Sequence, residues 1–424
     1  MPPEPLSPAD IPDQSPHYAR AVATLGEDHR IVARSDILAS NGMKLVAQGS
    51  VIDRDLRERL KVHKLRLPLD LVLATDRPID APALARHATR LFDEDAAMRH
   101  LTERGGDPRG FGHALINLEL SHPLAFRLTV MHEQYSAMFQ HSLRVALIAH
   151  AIAARLGLSD NDKSLLALAA LCHDMGEMHT DPALLASDHR VTAEERRFIH
   201  VHPLTGYYIM QQMQTLPAAS MQAVLQHHER LDGSGYPHGL TAEKSHPLAK
   251  VLGAAEAVEG LVRRADMQRV DMLLRLNGRR FDASVIRALR DLLPVNADEA
   301  TTSAPMNDAA TRLAHIVHVL AAWPELAAGL ETLAPDEPVC LFINTQLAAL
   351  RSLALQAGID PGNTQVLLDL AGEDPRVLNE MRLTLDELSW LMVDIANEID
   401  RRVFMLDAAF RAQAERLSAL LKAR

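Results

Sequence analysis

Cysteine is almost missing: the 424 residues include two, Cys172 and Cys340. That excludes a disulfide framework and a Cys-rich zinc ribbon, and it fits a reducing compartment. An excess of positive charge is missing too. The net charge is -11 with histidine neutral, which argues against a broad basic surface for duplex nucleic acid and leaves room only for a local basic pocket. Long apolar runs are scarce, the window Leu165 to Cys172 falling far short of the ~20 residues that span a bilayer. The opening MPPEPLSPADIPDQSP is Pro-rich and acidic, where a secretory signal needs a basic end and an apolar stretch. These absences predict a cytoplasmic protein without a membrane partner, and a disordered tail over residues 1–17. Histidine, by contrast, is plentiful. There are 21, and those from His141 to His238 crowd one stretch, which suggests metal without establishing it.

A chain this long implies two or three domains of ~150 residues, large enough to fold without disulfides or a structural metal. From Tyr18 to Thr75 the pattern reads strand-like, then mixed. HRIVARSDILA and KLVAQGSVI form a hairpin pair around Asn41-Gly42, DRDLRERLKVHKL a short helix capped by Asp53, and LPLDLVLA another strand. His29 and His63 there are isolated and read as solvated or packing residues. A helix is expected over Pro82–Thr102 and a loop over ERGGDPRGFG. Beyond it, apolar residues recur at three- and four-residue spacing over Leu115–Leu158, Asp162–Met175, Ala193–Met213 and Pro217–Glu229. The chain is therefore mainly α: a small N-terminal α+β module with a connecting helix over 18–120, an all-α bundle over 121–295, and a C-terminal helical region over 296–424. A linker is expected near 295–308. In the last run, the stripe Leu378, Met381, Leu385, Leu388 and Leu391 needs a partner, either its own bundle or a second copy in a homodimer.

Helical histidines become ligands when facing helices let them converge. The candidates are His141 in FQHSLRVA, His173-Asp174 closing LLALAALCHDMG, His202 in HVHPLTGYY, His227-His228 before ERLDGSGYPHGL, and Glu256 in AKVLGAAEAVEG. An acid inside so apolar a helix is costly to bury alone, so a cationic partner is attractive. Asp174 beside His173 is the informative pair. One carboxylate can bridge two cations while imidazoles complete each shell, and a metal pair ~3.5–4 Å apart is the usual clamp for phosphoester hydrolysis. A ligand set of imidazole and carboxylate without thiolate suits Fe or Mn. Any one of these histidines alone is more often a core or surface residue; the ordered set is what chance does not readily produce.

The ordered set His141-Ser142, His173-Asp174-x-Gly176, His202-Pro203-x-x-Gly206 and HHERLDGSGYPHGL resembles the HD-GYP family of HD-domain metal-dependent phosphohydrolases over about residues 130–295. The resemblance implies a phosphodiesterase that hydrolyses cyclic di-GMP to pGpG or GMP at a site of two divalent ions, with Asp174 and His173 as catalytic residues. Position by position, it implies one metal held by His141, His173, Asp174 and Glu256, and a second by Asp174, His202, His227 and His228. Gly235, Tyr236 and Pro237 would shape the substrate entrance, and that loop would also contact cyclase (GGDEF) domains. A third-metal glutamate would stand where this chain has Ala137, so the site is expected to be binuclear.

The sequence departs from the family in three places. Glu177 stands where the family's phosphate-touching lysine belongs, Glu256 and Glu259 in AEAVEG replace an aspartate pattern, and Arg263 and Arg264 only approximate its R-P-Y-R segment. Lys250 is a further basic candidate for substrate. His179 is open to two roles, a substitute phosphate contact or a surface pair with Glu177. Glu229 and Asp232 either orient His227 and His228 or serve the loop. Two alternatives follow: a metal-binding, catalytically weak module acting through ligand or protein binding, and a phosphohydrolase of another nucleotide.

Overall fold

The computed structural model describes residues 15–53, 56, 60, 62–107, 109–186, 189, 191–214, 216–264, 266–293, 306–359 and 364–423. Two compact units emerge, one from residues 1–265 with 279–293 and the other from 266–278 with 294–424. Helices dominate both, as the sequence predicts, and the strands are short.

Helix α1 (Pro16–Asp28) occupies a segment read as strand-like from Tyr18 onward. Its buried positions Tyr18, Ala21, Val22 and Leu25 lie three and four apart, so the stretch is an amphipathic helix. Of the predicted tail, residues 1–14 lie outside the described residues, while Pro16 and His17 belong to α1. Strand β1 (Ile31–Ala33) is followed by the expected hairpin, in which β2 (Ile37–Leu38) pairs antiparallel with β3 (Lys44–Val46). Gly42 in its turn takes a φ of 84°, which glycine adopts without steric cost. The helix predicted after Asp53 lies largely outside the described residues. LPLDLVLA is only partly a strand. Pro68 initiates the single-turn helix α2 (Leu69–Val72), and β4 (Leu73–Thr75) then pairs antiparallel with β1. The one helix expected over Pro82–Thr102 is two, α3 (Ala81–Glu94) and α4 (Ala96–Arg104). Asp95 breaks it by leaving helical geometry and accepting hydrogen bonds from the Ala97 and Met98 amides.

After α5 (Gly110–Ile116) come α6 (His122–Gln134), α7 (Ser136–Arg155) and α8 (Asp160–Cys172). The bundle continues with α9 (Ala193–His200), α10 (His202–Gln212), α11 (Ala218–Gln226) and α12 (Pro247–Arg263). Helices α7 and α8 pack against each other at its centre, where Val145, Ala146, Ile148, Ala149 and Ile152 of the first and Leu166, Ala169 and Ala170 of the second are all buried.

Helix α13 (Met267–Leu276) belongs to the second unit and α14 (Ala283–Leu292) to the first. The linker expected at 295–308 lies outside the described residues except where 306–308 open α15 (Met306–Leu333). The second unit continues with α16 (Pro338–Gln356), α17 (Thr364–Glu373), α18 (Pro375–Val403) and α19 (Ala408–Lys422). The stripe on α18 finds its partner within the chain: Met381, Leu385, Leu388 and Leu391 share a core with Trp323, Leu350 and Leu417, and Leu378 packs at its margin. Against the expectation of short apolar windows, Ala309–Leu333 and Pro338–Gln356 are long and apolar enough to cross a membrane by length and composition. Leu313, Ile316, Val319 and Trp323 of the first, with Ile343 and Leu350 of the second, are buried in that same core.

Candidate metal centre

Five segments bring the candidate ligands together. His141 lies in the second turn of α7, His173 and Asp174 follow the last turn of α8, and His202 opens α10. His227 and His228 follow α11, and Glu256 lies midway along α12. The 3-10 turn Met175–His179 that follows Asp174 presses against α10 so tightly that a Cβ on Gly176 would collide with the His202 carbonyl oxygen. Gly253 performs the same service for α12 against the His227 carbonyl. Any larger residue at either position would push ligand-bearing segments apart.

Three candidate ligands are aimed by the same device. His173 Nδ1 lies 2.7 Å from the Ala170 carbonyl, His202 Nδ1 2.8 Å from that of Ile199, and His227 Nδ1 2.6 Å from that of Val224. A carbonyl cannot donate, so each Nδ1 carries the proton and each Nε2 turns inward, the orientation a metal ligand needs. His202 Nε2 and His227 Nε2 then face each other at 3.2 Å. Two lone pairs so placed repel unless a cation or proton lies between them. Asp174 stands between two groups of imidazoles. Its Oδ2 is 3.2 Å from His173 Nε2 and 3.5 Å from His141 Nε2, while its Oδ1 is 3.4 Å from His202 Nε2 and 3.8 Å from His227 Nε2. Glu256 Oε2 completes the first group, 3.0 Å from His141 and 3.1 Å from His173. Candidate ligand atoms cluster as His141, His173 and Asp174, and as Asp174, His202, His227 and His228. His173 Nε2 and Glu256 Oε2 are buried against each other at 3.1 Å, and a cation held there would offset the cost of burying both. The donor set fits a metal.

Electrostatics separate the two halves. Burial opposes charge on His141, but hydrogen bonds to Glu256 and Glu259 outweigh it and raise its pKa to about 10. His173 is likewise raised, its burial overcome by Asp174 and Glu256. Burial would raise Asp174, yet the charge on His173 holds its carboxyl well below the usual range. On the other side, burial and the charges of His173 and His202 bring His227 down to about 3, and burial with His227 also depresses His228. That side presents neutral imidazoles ready to ligate; the His141 side must release protons to a metal as it binds.

The remaining candidates behave less uniformly. Tyr236 stacks between His200, with ring centroids 4.0 Å apart, and His228, at 4.6 Å, so its ring packs on a candidate ligand. Pro237 follows through a cis peptide bond, and Gly235 lies against the His228 carbonyl where a Cβ would not fit. Lys250 Nζ lies 3.9 Å from Asp282, and Arg263 Nε 3.8 Å from Glu259. Arg263 and Arg264 are exposed at the end of α12. Glu177 Oε1 is 3.9 Å from His202 Nδ1, and burial together with the charge of Asp174 pushes its pKa up to about 8. Glu229 and Asp232 serve the loop: Glu229 accepts from the His238 and Leu240 amides, Asp232 from Ser234. His179 takes neither of its expected roles. It is stacked on Tyr18 with centroids 5.1 Å apart and bonded to Arg127, and burial followed by the Arg127 charge pushes its pKa well down. Glu259 was available in the sequence only as an alternative acid. Its Oε2 lies 3.2 Å from His141 Nδ1, and it also pairs with Arg144, so it orients that candidate ligand. The signal was its place one helical turn from Glu256.

Residues 129–285 match the HD domain family. Over this segment the chain is similar to HD domains. The chain is similar to the cyclic di-GMP phosphodiesterase response regulator RpfG of Xanthomonas campestris, 32% identical over 121 residues, 28% of this chain and 32% of that protein. It is also similar to the 3'3'-cGAMP-specific phosphodiesterase 3 of Vibrio cholerae, 31% identical over 121 residues, 28% of this chain and 26% of that protein. The chain thus spans about a third or less of the length of these curated relatives. Among solved structures, the HDG"Y"P protein Bd1817 of Bdellovibrio bacteriovorus aligns at 16% identity with a TM-score of 0.33, over 62% of this chain and 94% of that one. The HD-GYP resemblance read from the motifs agrees with relatives that are named phosphodiesterases of cyclic dinucleotides.

Proposed function

We propose that the HD domain hydrolyses a phosphodiester bond of a cyclic dinucleotide, cyclic di-GMP being the leading substrate and pGpG or GMP the product. The observation that carries this reading is the position of Asp174, with one carboxylate oxygen turned to each imidazole group. His141, His173, Asp174 and Glu256 would hold one divalent ion, and Asp174, His202, His227 and His228 the other. When bound, two such ions, Fe or Mn by the hardness of the donors, would supply Lewis acidity and lower the pKa of a water. The chain's own residues orient the ligands through the 170, 199 and 224 carbonyls and Glu259. The turn carrying Tyr236 walls the His228 side. This chemistry belongs to the domain read over 121–295 in a cytoplasmic protein, with the flanks 18–120 and 296–424 acting on it or on partners such as GGDEF domains.

A second reading, a metal-binding module of weak activity, is favoured by Glu177 beside His202 and by the exposure of Arg263 and Arg264. Incubating the purified chain, with its metal quantified, in Mn(II) or Fe(II) with cyclic di-GMP and 3'3'-cGAMP separates the two. The expected outcome is a linear product from the native chain and none from Asp174→Ala. Stoichiometric metal without product from either dinucleotide excludes the enzyme.

A further inference from the structure

A buried chain of polar groups reaches the HD dipeptide from outside the cluster. Arg127 on α6 donates through Nε to Asp70 Oδ2 at 2.9 Å and through Nη2 to the same oxygen. The other Asp70 oxygen accepts from the Tyr18 hydroxyl, so α1, α2 and α6 meet at one saturated carboxylate. Arg127, Asp70 and Tyr18 are each about 2% exposed. Arg127 also lies over the Tyr18 ring, 4.1 Å from its centroid. Its remaining Nη1 points to His179 Nε2 at 3.1 Å. Arginine has no lone pair to offer, so His179 Nε2 accepts and the ring proton is fixed on Nδ1. Two more bonds hold the same turn, from Ser15 Oγ to the His179 carbonyl at 2.9 Å and from the Tyr135 hydroxyl to the Met178 carbonyl at 3.4 Å.

A buried ion pair is a poor source of stability, because desolvating both charges roughly cancels their attraction. Its geometry is a better guide to its use. The turn Met175–His179 begins at the residue after Asp174, and Gly176 seats it on α10. It is therefore gripped from both sides, and its position sets that of the Asp174 carboxylate.

We infer that Arg127, held by Asp70 and Tyr18, is a positioning residue that fixes the bridging carboxylate of Asp174 through His179, so that the N-terminal elements α1 and α2 form part of the metal centre's support. This rests on the proposed role of Asp174 as a bridging ligand. Groups that orient metal ligands typically govern affinity by ~10–100-fold.

The test replaces His179 and leaves the Arg127–Asp70 pair intact. His179→Leu removes the acceptor; His179→Gln keeps an oxygen close to the Nε2 position. Mn(II) affinity is measured by chelator competition, alongside thermal unfolding and cyclic di-GMP kinetics. The expected result is a folded His179→Leu protein with Mn(II) affinity ~10–100-fold weaker, a lower kcat and little change in KM, and recovery towards native values in His179→Gln. Native Mn(II) affinity in His179→Leu, or equal impairment in both variants, overturns the proposal. If His179→Leu does not fold, the same comparison is read between His179→Gln and His179→Asn, whose oxygen is one methylene short of Arg127. Should the native chain bind Mn(II) yet hydrolyse no dinucleotide, the proposed activity fails while the affinity comparison still decides the positioning role.

Discussion

His150 and His173 are both fully enclosed, yet their protonation runs in opposite directions. Asp174 and Glu256 overcome the burial of His173, whereas Asp107, 3.4 Å from His150 Nε2, does not overcome the burial of His150. His150 thus has a folded pKa below its unfolded ~6.5. Its neutral form is the one folding favours, so the stability it contributes is complete above pH ~6.5 and is lost as the pH falls from there through the folded value. Comparing thermal midpoints of the native chain and His150→Leu from pH 7.5 to 5 should show the native protein losing more; a constant difference would refute the assignment. At this scale the cluster of candidate ligands was legible, because their order along the chain is itself a pattern. Tyr18, Asp70 and Arg127 were not. They lie in segments read only for their strand or helix pattern, and only the fold brings the α1 and α2 residues to α6.

Elements were legible wherever periodicity was strong. The bundle helices and the Asn41-Gly42 hairpin follow from local pattern, since spacing and turn chemistry act over a few residues. Where the reading missed, a local competitor won: Asp95 capping α4, Pro68 starting α2, and the three- and four-residue spacing of α1. For α18, the sequence left its stripe a choice of partners, and the structure shows Leu388 fully buried in the chain's own core. Leu388→Ala should therefore cost ~2–5 kcal/mol in urea unfolding of the second unit. A loss below ~0.5 kcal/mol, the range of surface substitutions, would show that this position is not core.

On the scale of the whole molecule, two compact units imply unfolding that is not a single two-state transition. A ligand stabilises only the unit that binds it, by RT ln(1 + [L]/Kd) or ~2.7 kcal/mol at a hundredfold excess over Kd. Titrating Mn(II) into metal-free protein should raise one calorimetric transition and leave the other in place, with the shift abolished in Asp174→Ala. Equal movement of both transitions would argue against a metal centre confined to the first unit. Residue order alone determined the helical class, the choice of candidate ligands and the kinship with phosphodiesterases, because helix period and motif spacing are written locally. Only the tertiary structure decided which oxygen of Asp174 faces which imidazoles, that His179 faces Arg127 instead of Glu177, and that the α18 stripe stays within its own chain. Those outcomes depend on directions and distances between segments far apart in sequence, and packing the helices is what sets them.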